Sequence, residues 1–388
     1  MIPYGRHEID KSDIDAVVKV LQSDFLTQGP VVPLFEQEVA NYCGANHAVA
    51  VNSATSALHI ACMALNLGPG DWLWTSAVTF LASANCGRYC GAHVDFVDID
   101  PRTYNMSVSG LAEKLAQAEK FGKLPKVVVP VHLCGQSCDM AAIHALSEKY
   151  GFKIIEDASH AVGGKYKNNQ IGNCRFSDIT VFSFHPVKII TTGEGGVAVT
   201  NDPEISKSMR LYRSHGMTND PNEMRCRPVE EVWNYQQVCL GYNYRMTDIQ
   251  ATLGVSQIKR LDKYVERRHI IANRYNSELR DLSLKTPWQH PDSYSSYHLY
   301  PIRLISGECQ PTQQEVFNKL HASGINANLH YIPVYRQPYY EELGFKANYC
   351  IEAERYFREV ISIPMYPTMS DGQVDDVVTA LRLLICKK

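Results

Sequence analysis

Residues 179–200 read ITVFSFHPVKIITTGEGGVAVT, and this segment is the strongest indication of how the chain folds and what it does. A short apolar strand enters the segment, a second apolar run leaves it, and Lys188 lies between them, ahead of a glycine-rich loop. Most lysines are solvated surface residues, but the neighbours of Lys188 are apolar residues and glycines. Because desolvation disfavours an ammonium ion, these surroundings suit a lysine that reacts as a neutral amine.

Short apolar runs on the N-terminal side of this segment alternate with helical stretches. The runs lie at residues 48–51, 94–97, 127–131 and 153–155. This alternation predicts an α/β fold in which a mostly parallel sheet is covered by helices on both faces. Ligands of such sheets bind at the carboxyl ends of the strands. Residues 163–172 interrupt the pattern and predict a hairpin, because asparagine tolerates the positive φ of tight turns.

The pattern changes after Gly254, where a charged helix leads into a smaller α+β unit. We therefore predict a large domain over residues 1–254 and a small C-terminal domain over residues 255–388. At the other end of the chain, Ser12 is a candidate cap for a first helix. Its apolar residues Ile14, Val17, Val18 and Leu21 form one stripe, which requires a partner surface.

Composition excludes several classes of protein. The 388 residues carry a formal net charge of -3, so there is no basic field for a nucleic acid. The N-terminus does not resemble a signal peptide, and no apolar run approaches the roughly 20 residues that span a bilayer. These features predict a cytoplasmic protein that contacts no membrane.

The 12 cysteines are scattered, and several lie inside apolar stretches, as reduced core residues do. Two pairs, Cys86 with Cys90 and Cys134 with Cys138, have the spacing of metal ligands. No histidine pair with ligand spacing accompanies them, so we expect no metal site.

Polar side chains follow two of the apolar runs. The run at residues 153–155 continues directly into Glu156 and Asp157. Burying a carboxylate without a partner is costly, so Asp157 is a candidate for binding a cationic group, although it could also cap the next helix. The segment at residues 52–58 places hydroxyls at a strand-to-helix junction, where backbone N–H groups attract phosphate. An ordinary helix cap by Ser53 or Thr55 is the alternative.

The chain lacks the P-loop, the dinucleotide-binding glycine motif and the H-E-x-x-H zinc motif. Its own motifs occur in a specific order: LTQGP at residues 26–30, EDASH at 156–160, SFHPVK before GEGG at 183–196, GYNYRMTD at 241–248 and HYIP at 330–333. Together they resemble the DegT/DnrJ/EryC1/StrS family of sugar aminotransferases over nearly the whole chain. The resemblance implies a pyridoxal 5′-phosphate-dependent enzyme of fold type I, like aspartate aminotransferase. It also implies a homodimer with active sites shared between subunits.

The resemblance assigns the groups around the cofactor ring. Lys188 matches the lysine that binds the cofactor covalently and afterwards moves protons. Asp157 matches the carboxylate that pairs with the pyridine nitrogen, which keeps the ring protonated and makes it an electron sink. His160 matches the residue near the phenolic oxygen, and Phe80 the aromatic that stacks on the ring.

The remaining assignments concern the phosphate and the substrate. Thr55, Ser56 and Ser183 match phosphate contacts from the same subunit, and Asn243 matches one from the neighbouring subunit. The substrate candidates are His330, Tyr331 and Tyr335, although the two tyrosines could equally be core aromatics.

Within the family, FSFHPVK followed by TTGEGG resembles the transaminases of pseudaminic acid biosynthesis. This likeness implies amino transfer from glutamate to C4 of a UDP-linked 4-keto-6-deoxy-N-acetyl sugar. Three alternatives stay open: another nucleotide-linked keto sugar, a related dehydratase, and a non-catalytic binding protein. The dehydratases of the family replace the lysine with histidine, whereas this chain retains Lys188.

Overall fold

The structure is a computed structural model that describes residues 1–225, 231, 233–305, 307 and 310–387. These residues form thirteen α-helices: α1 (Lys11–Leu21), α2 (Val31–Cys43), α3 (Ala54–Ala64), α4 (Ala82–Tyr89), α5 (Val108–Lys120), α6 (Met140–Tyr150), α7 (Pro203–Arg213), α8 (Asp248–Ile258), α9 (Leu261–Glu278), α10 (Gln313–Ala322), α11 (Pro338–Glu342), α12 (Ile351–Glu359) and α13 (Asp371–Leu384). In the part of the chain that the structure describes, none of these helices is long and apolar enough to cross a membrane.

Fifteen strands are present in the same residues: β1 (His47–Val51), β2 (Trp72–Ser76), β3 (His93–Val97), β4 (Val127–Val129), β5 (Lys153–Asp157), β6 (Lys165–Tyr166), β7 (Asn169–Gln170), β8 (Ile179–Ser183), β9 (Gly196–Thr200), β10 (Met217–Thr218), β11 (Gln236–Gln237), β12 (Leu284–Lys285), β13 (Ser293–Tyr294), β14 (Tyr300–Leu304) and β15 (Val360–Ile363). Seven form the central sheet in the order β1-β9-β8-β5-β4-β2-β3. Only β9 runs against the others, so the mostly parallel sheet is confirmed.

Helices cover both faces of this sheet, as predicted. Alternate residues of a strand point to opposite faces. In β1, Val49 and Val51 pack into a core shared with α3, whereas Ala48 and Ala50 pack into a core shared with α2 and α8. The hairpin is also confirmed, because β6 pairs antiparallel with β7, and Asn168 between them has a φ of 63°.

A second core lies towards the C-terminus. The antiparallel sheet β12-β14-β15 packs against α9, α10 and α13. The boundary between the two domains is not sharp. Gly254 lies within α8, and α9 contributes Val265 to the core shared with α2 and α8 but Ile271 to the second core. The division after Gly254 therefore stays a proposal.

The first helix differs from the prediction at its start. Asp10, not Ser12, caps α1, and its side chain accepts a hydrogen bond from the backbone N–H of Asp13. The carboxylate of Asp13 in turn accepts the backbone N–H of Asp10, so two carboxylates close a capping box. The predicted apolar stripe remains uncovered within one chain, since Ile14 and Leu21 are each 54% exposed.

Candidate active site

A cavity of about 1020 Å³ opens at the carboxyl ends of β1, β5 and β8. This is the edge at which a parallel sheet binds its ligands. The cavity collects nine of the residues that the sequence singled out: Thr55, Ser56, Phe80, Asp157, His160, Ser183, Lys188, His330 and Tyr331. They come from both halves of the chain, so the fold converts scattered motifs into one site.

Lys188 lies on the loop between β8 and β9. Its backbone N–H donates to the carbonyl of His185, and the buried side chains of Ile189 and Ile190 anchor the following residues. Burial lowers the pKa of the Lys188 ammonium to about 8, even though the nearby carboxylate of Asp157 acts in the opposite direction. Lys188 therefore supplies a neutral amine far more readily than a surface lysine does.

Asp157 ends β5, and its side chain is almost fully buried. One carboxylate oxygen, Oδ1, accepts the backbone N–H of Ser159 at 3.1 Å. The other, Oδ2, accepts the hydroxyl of Ser83 at 2.6 Å. The residues that follow form turns, so the alternative of a cap on an adjacent helix does not apply. The neighbouring carboxylate of Glu156 faces away, 2.7 Å from Nε2 of His132.

His160 and Tyr331 form a second wall of the cavity. Nδ1 of His160 accepts the backbone N–H of Cys134 at 3.3 Å, and Nε2 lies 3.1 Å from the Tyr331 hydroxyl. Burial holds the pKa of His160 well below its usual value, so the imidazole is neutral. The side chain of Phe80 is 56% exposed and lines the cavity, with its ring centroid 6.1 Å from that of Tyr331.

The start of α3 forms an anion site. Ser53 caps the helix, and its Oγ accepts the backbone N–H of Ser56. As first-turn residues, Ala54 and Thr55 have N–H groups that no preceding helical carbonyl accepts. Gly196 of β9 permits this arrangement, since a Cβ there would lie 2.5 Å from the backbone nitrogen of Ala54. The cap and the predicted phosphate site are therefore compatible.

Two predicted residues lie outside the cavity. Tyr335 is fully buried, with its hydroxyl 3.1 Å from the carbonyl of Cys350 and 3.1 Å from Glu354. This packing corresponds to the core-aromatic alternative, so Tyr335 is not a wall residue. Asn243 is exposed and does not line this chain's cavity. Its predicted contact requires a second copy.

Four residues that sequence reasoning did not assign are also present at the site. Tyr4, His298 and Asn328 line the cavity, and Ser83 lies behind it on Asp157. Tyr4 packs its ring 5.5 Å from that of His330. No local pattern indicates Tyr4, His298 or Asn328, because the fold brings them from distant segments. Ser83 is likewise unmarked, because its contact with Asp157 joins segments that are far apart in the sequence.

The arrangement fits pyridoxal 5′-phosphate. An aldehyde requires an amine that can lose its proton, a phosphate requires free N–H groups and hydroxyls, and a pyridinium nitrogen requires a carboxylate. The cavity has one of each, at Lys188, at the start of α3 and at Asp157. The exposed ring of Phe80 offers an aromatic surface for the cofactor.

Comparisons with known proteins agree with this fit. Residues 7–382 match the model of the DegT/DnrJ/EryC1/StrS aminotransferase family. The spore coat polysaccharide biosynthesis protein SpsC of Bacillus subtilis is 39% identical over 99% of this chain and 97% of its own length. The UDP-4-amino-4,6-dideoxy-N-acetyl-beta-L-altrosamine transaminase of Campylobacter jejuni is 37% identical over 95% of this chain and 94% of its own.

A solved structure is also similar over nearly its whole length. PseC of Helicobacter pylori, an aminotransferase involved in the biosynthesis of pseudaminic acid, superposes with a TM-score of 0.87. It is 32% identical and covers 98% of both chains. The type I fold expected from the resemblance is therefore confirmed.

Proposed function

The chain belongs to the DegT/DnrJ/EryC1/StrS aminotransferase family, and from that premise we propose that it transfers an amino group from glutamate to C4 of a UDP-linked 4-keto-6-deoxy-N-acetyl sugar. It is a sugar aminotransferase, and it uses pyridoxal 5′-phosphate. The observation that carries the proposal is the position of Lys188 and Asp157 in one cavity beside an anion site.

Lys188 is the proposed covalent anchor and proton carrier. When bound, the cofactor supplies an electron sink for the carbon attached to the transferred nitrogen. The amine of Lys188 then moves a proton between the α-carbon of glutamate and C4′ of the cofactor, and in the opposite direction when the sugar is aminated. Its lowered pKa supports this role, because proton transfer needs an amine that changes its protonation state near neutral pH.

The other proposed roles follow the groups of the cofactor. Asp157 pairs with the ring nitrogen and keeps it protonated. Phe80 stacks on the ring, and His160 lies near the phenolic oxygen. Thr55 and Ser56 bind the phosphate together with Ser183, which is buried at the end of β8.

His330 and Tyr331 are the proposed sugar contacts, supported by their position in the cavity lining. His330 is buried, and burial lowers its pKa to about 3, so it is a neutral hydrogen-bonding group.

We also propose a homodimer with shared sites. Among the described residues that line the cavity, Lys188 is the only lysine or arginine. A nucleotide sugar carries a diphosphate, which binds best to charge-assisted donors. Lys188 is assigned to the cofactor, so the described part of the lining has no other lysine or arginine for the diphosphate. The exposed stripe on α1 and the exposed Asn243 support a second copy of the chain as the source of further donors. The cytoplasmic location stays a prediction.

The nature of the sugar has a competing assignment. The relative that is named as the altrosamine transaminase supports a UDP-linked N-acetyl sugar, but SpsC is as similar to this chain. A different nucleotide-linked keto sugar is therefore the second candidate. The retained Lys188 argues against a dehydratase, and the complete set of cofactor groups in the cavity argues against a non-catalytic binding protein.

The substrate proposal is tested with a panel of UDP- and dTDP-linked keto sugars and glutamate as donor. We expect the highest kcat/KM with the UDP-linked 4-keto-6-deoxy-N-acetyl sugar and a new amine on C4 in the NMR spectrum of the product. A higher kcat/KM with a dTDP-linked sugar would favour the second candidate. Failure to aminate any sugar would refute the proposed function.

The pKa of Lys188 predicts how capture of the cofactor by the apoprotein depends on pH. Because only the neutral amine attacks the aldehyde, the capture rate should rise about tenfold per pH unit below pH 8 and level off above it. Stopped-flow absorbance from pH 6 to pH 9 measures this rate. A profile that still rises tenfold per pH unit at pH 9 would mean that Lys188 behaves as an ordinary surface lysine.

A further inference from the structure

Ser83 lies directly behind Asp157, although the two residues belong to different parts of the sheet. Ser83 is in the first turn of α4, which follows β2, whereas Asp157 ends β5. In the sheet β4 lies between these two strands, so the start of α4 reaches across one strand to the carboxylate. The Ser83 hydroxyl donates to Oδ2 of Asp157 at 2.6 Å.

A second hydroxyl orients the first. Oγ1 of Thr79, which precedes α4, lies 2.7 Å from Oγ of Ser83. Ser83 has a single hydroxyl proton, so when it donates to Asp157 its oxygen is free to accept from Thr79. The other acceptor within reach, the carbonyl of Phe80, is more distant at 3.3 Å. The result is a two-hydroxyl chain, from Thr79 through Ser83 to the carboxylate.

All three groups in this series of hydrogen bonds are buried. Ser83 is 0% exposed, Thr79 2% and Asp157 4%. Thr79 and Asp157 line the cavity, but Ser83 lies behind it, where water cannot easily replace its hydroxyl. An unmet hydrogen bond to a charged group costs more than one to a neutral group. Neither hydroxyl is needed to cap a helix, because α4 begins without a side-chain cap.

We propose that Ser83 is a positioning residue for Asp157, and that Thr79 in turn orients Ser83. The proposal rests on the proposed pairing of Asp157 with the cofactor ring. With Ser159 on one oxygen and Ser83 on the other, the plane of the carboxylate is held by two donors. Ser83 thereby holds the Asp157 carboxylate in its orientation without lining the cavity itself.

A double-mutant cycle on the apoprotein tests this role. The probe is pyridoxamine 5′-phosphate, which has an amine instead of an aldehyde, so its binding reports the contacts around the ring and phosphate alone. Its Kd is measured by calorimetry for the wild type, Ser83→Ala, Asp157→Asn and the double variant. Thr79→Val tests the second hydroxyl. Ser206→Ala serves as a matched control, because Ser206 is a buried serine of α7 that does not line the cavity.

We expect Ser83→Ala to raise the Kd about 10- to 100-fold in the wild-type background, the value of one hydrogen bond to a charged group. In the Asp157→Asn background the same change should have less than about a threefold effect, because the charge that Ser83 stabilises is gone. Thr79→Val should raise the Kd less than Ser83→Ala, and Ser206→Ala should leave it unchanged.

Two results would overturn the proposal. Equal effects of Ser83→Ala in both backgrounds would make Ser83 a structural residue, and so would a loss of apoprotein Tm that accounts for the weaker binding. An unchanged Kd for Ser83→Ala would remove any role at the ring. Failure of the proposed function is distinguishable, since then Asp157→Asn alone would leave the Kd unchanged.

Discussion

Replacing Lys188 with alanine should lower kcat for transamination by at least about 10⁴-fold, the upper range of what one general acid–base group contributes. The loss is expected because Lys188 is the only lysine or arginine among the described residues that line the cavity. Lys188→Arg should be equally inactive, since a guanidinium stays protonated and cannot act as a nucleophile.

The test compares kcat, measured from 2-oxoglutarate formation, with the Tm of the apoprotein. Both variants should keep the wild-type Tm within a few degrees, because Lys188 makes no side-chain hydrogen bond among the described residues. Lys149→Ala is the control. Lys149 is an exposed lysine of α6, so this variant should retain full activity. Normal turnover by Lys188→Ala would refute its assignment as the anchor.

Replacing Asp157 with asparagine should lower kcat by about 10²- to 10³-fold, the cost of removing one electrostatic group aimed at developing charge. A neutral amide no longer favours a protonated ring nitrogen, so the electron sink is weakened. The cofactor should remain bound, because Lys188, Phe80 and the start of α3 are unchanged.

Glu156→Gln is the control for this variant. Glu156 is the adjacent residue of β5 and equally buried, but its carboxylate contacts His132 and Thr180 instead of the cavity. Its replacement should therefore lower the Tm but leave kcat close to the wild-type value. Absorbance measures the cofactor content of both variants. Wild-type kcat in Asp157→Asn would contradict the electron-sink argument.

The sequence predicted those parts of the molecule whose signals are local. Alternating apolar runs indicated the parallel sheet, and a lysine between apolar and glycine residues indicated the site, because burial and backbone geometry act on neighbouring residues. From the sequence, Asp157 could be distinguished from Glu156 only by its position at the end of the strand. The structure adds the reason for the difference, which is that the two side chains point to opposite faces of β5.

The remaining features depend on contacts between distant segments. Ser83 reaches Asp157 across β4, and Tyr4 arrives from the N-terminus, so no periodicity or motif marks either residue. Tyr335 follows the HYIP motif closely in sequence, yet the turn after Pro333 directs its ring into the core. The cap of α1 is Asp10 instead of Ser12, because the carboxylates of Asp10 and Asp13 each accept the backbone N–H of the other and close a capping box.

The most direct measurement is reduction of the wild-type protein with sodium borohydride in the presence of pyridoxal 5′-phosphate, followed by peptide mapping. Reduction makes the bond between the cofactor and its amine permanent, so mass spectrometry identifies the modified residue. We predict one cofactor per chain, on the ε-amine of Lys188. A label on another side chain, or no label, would contradict the account.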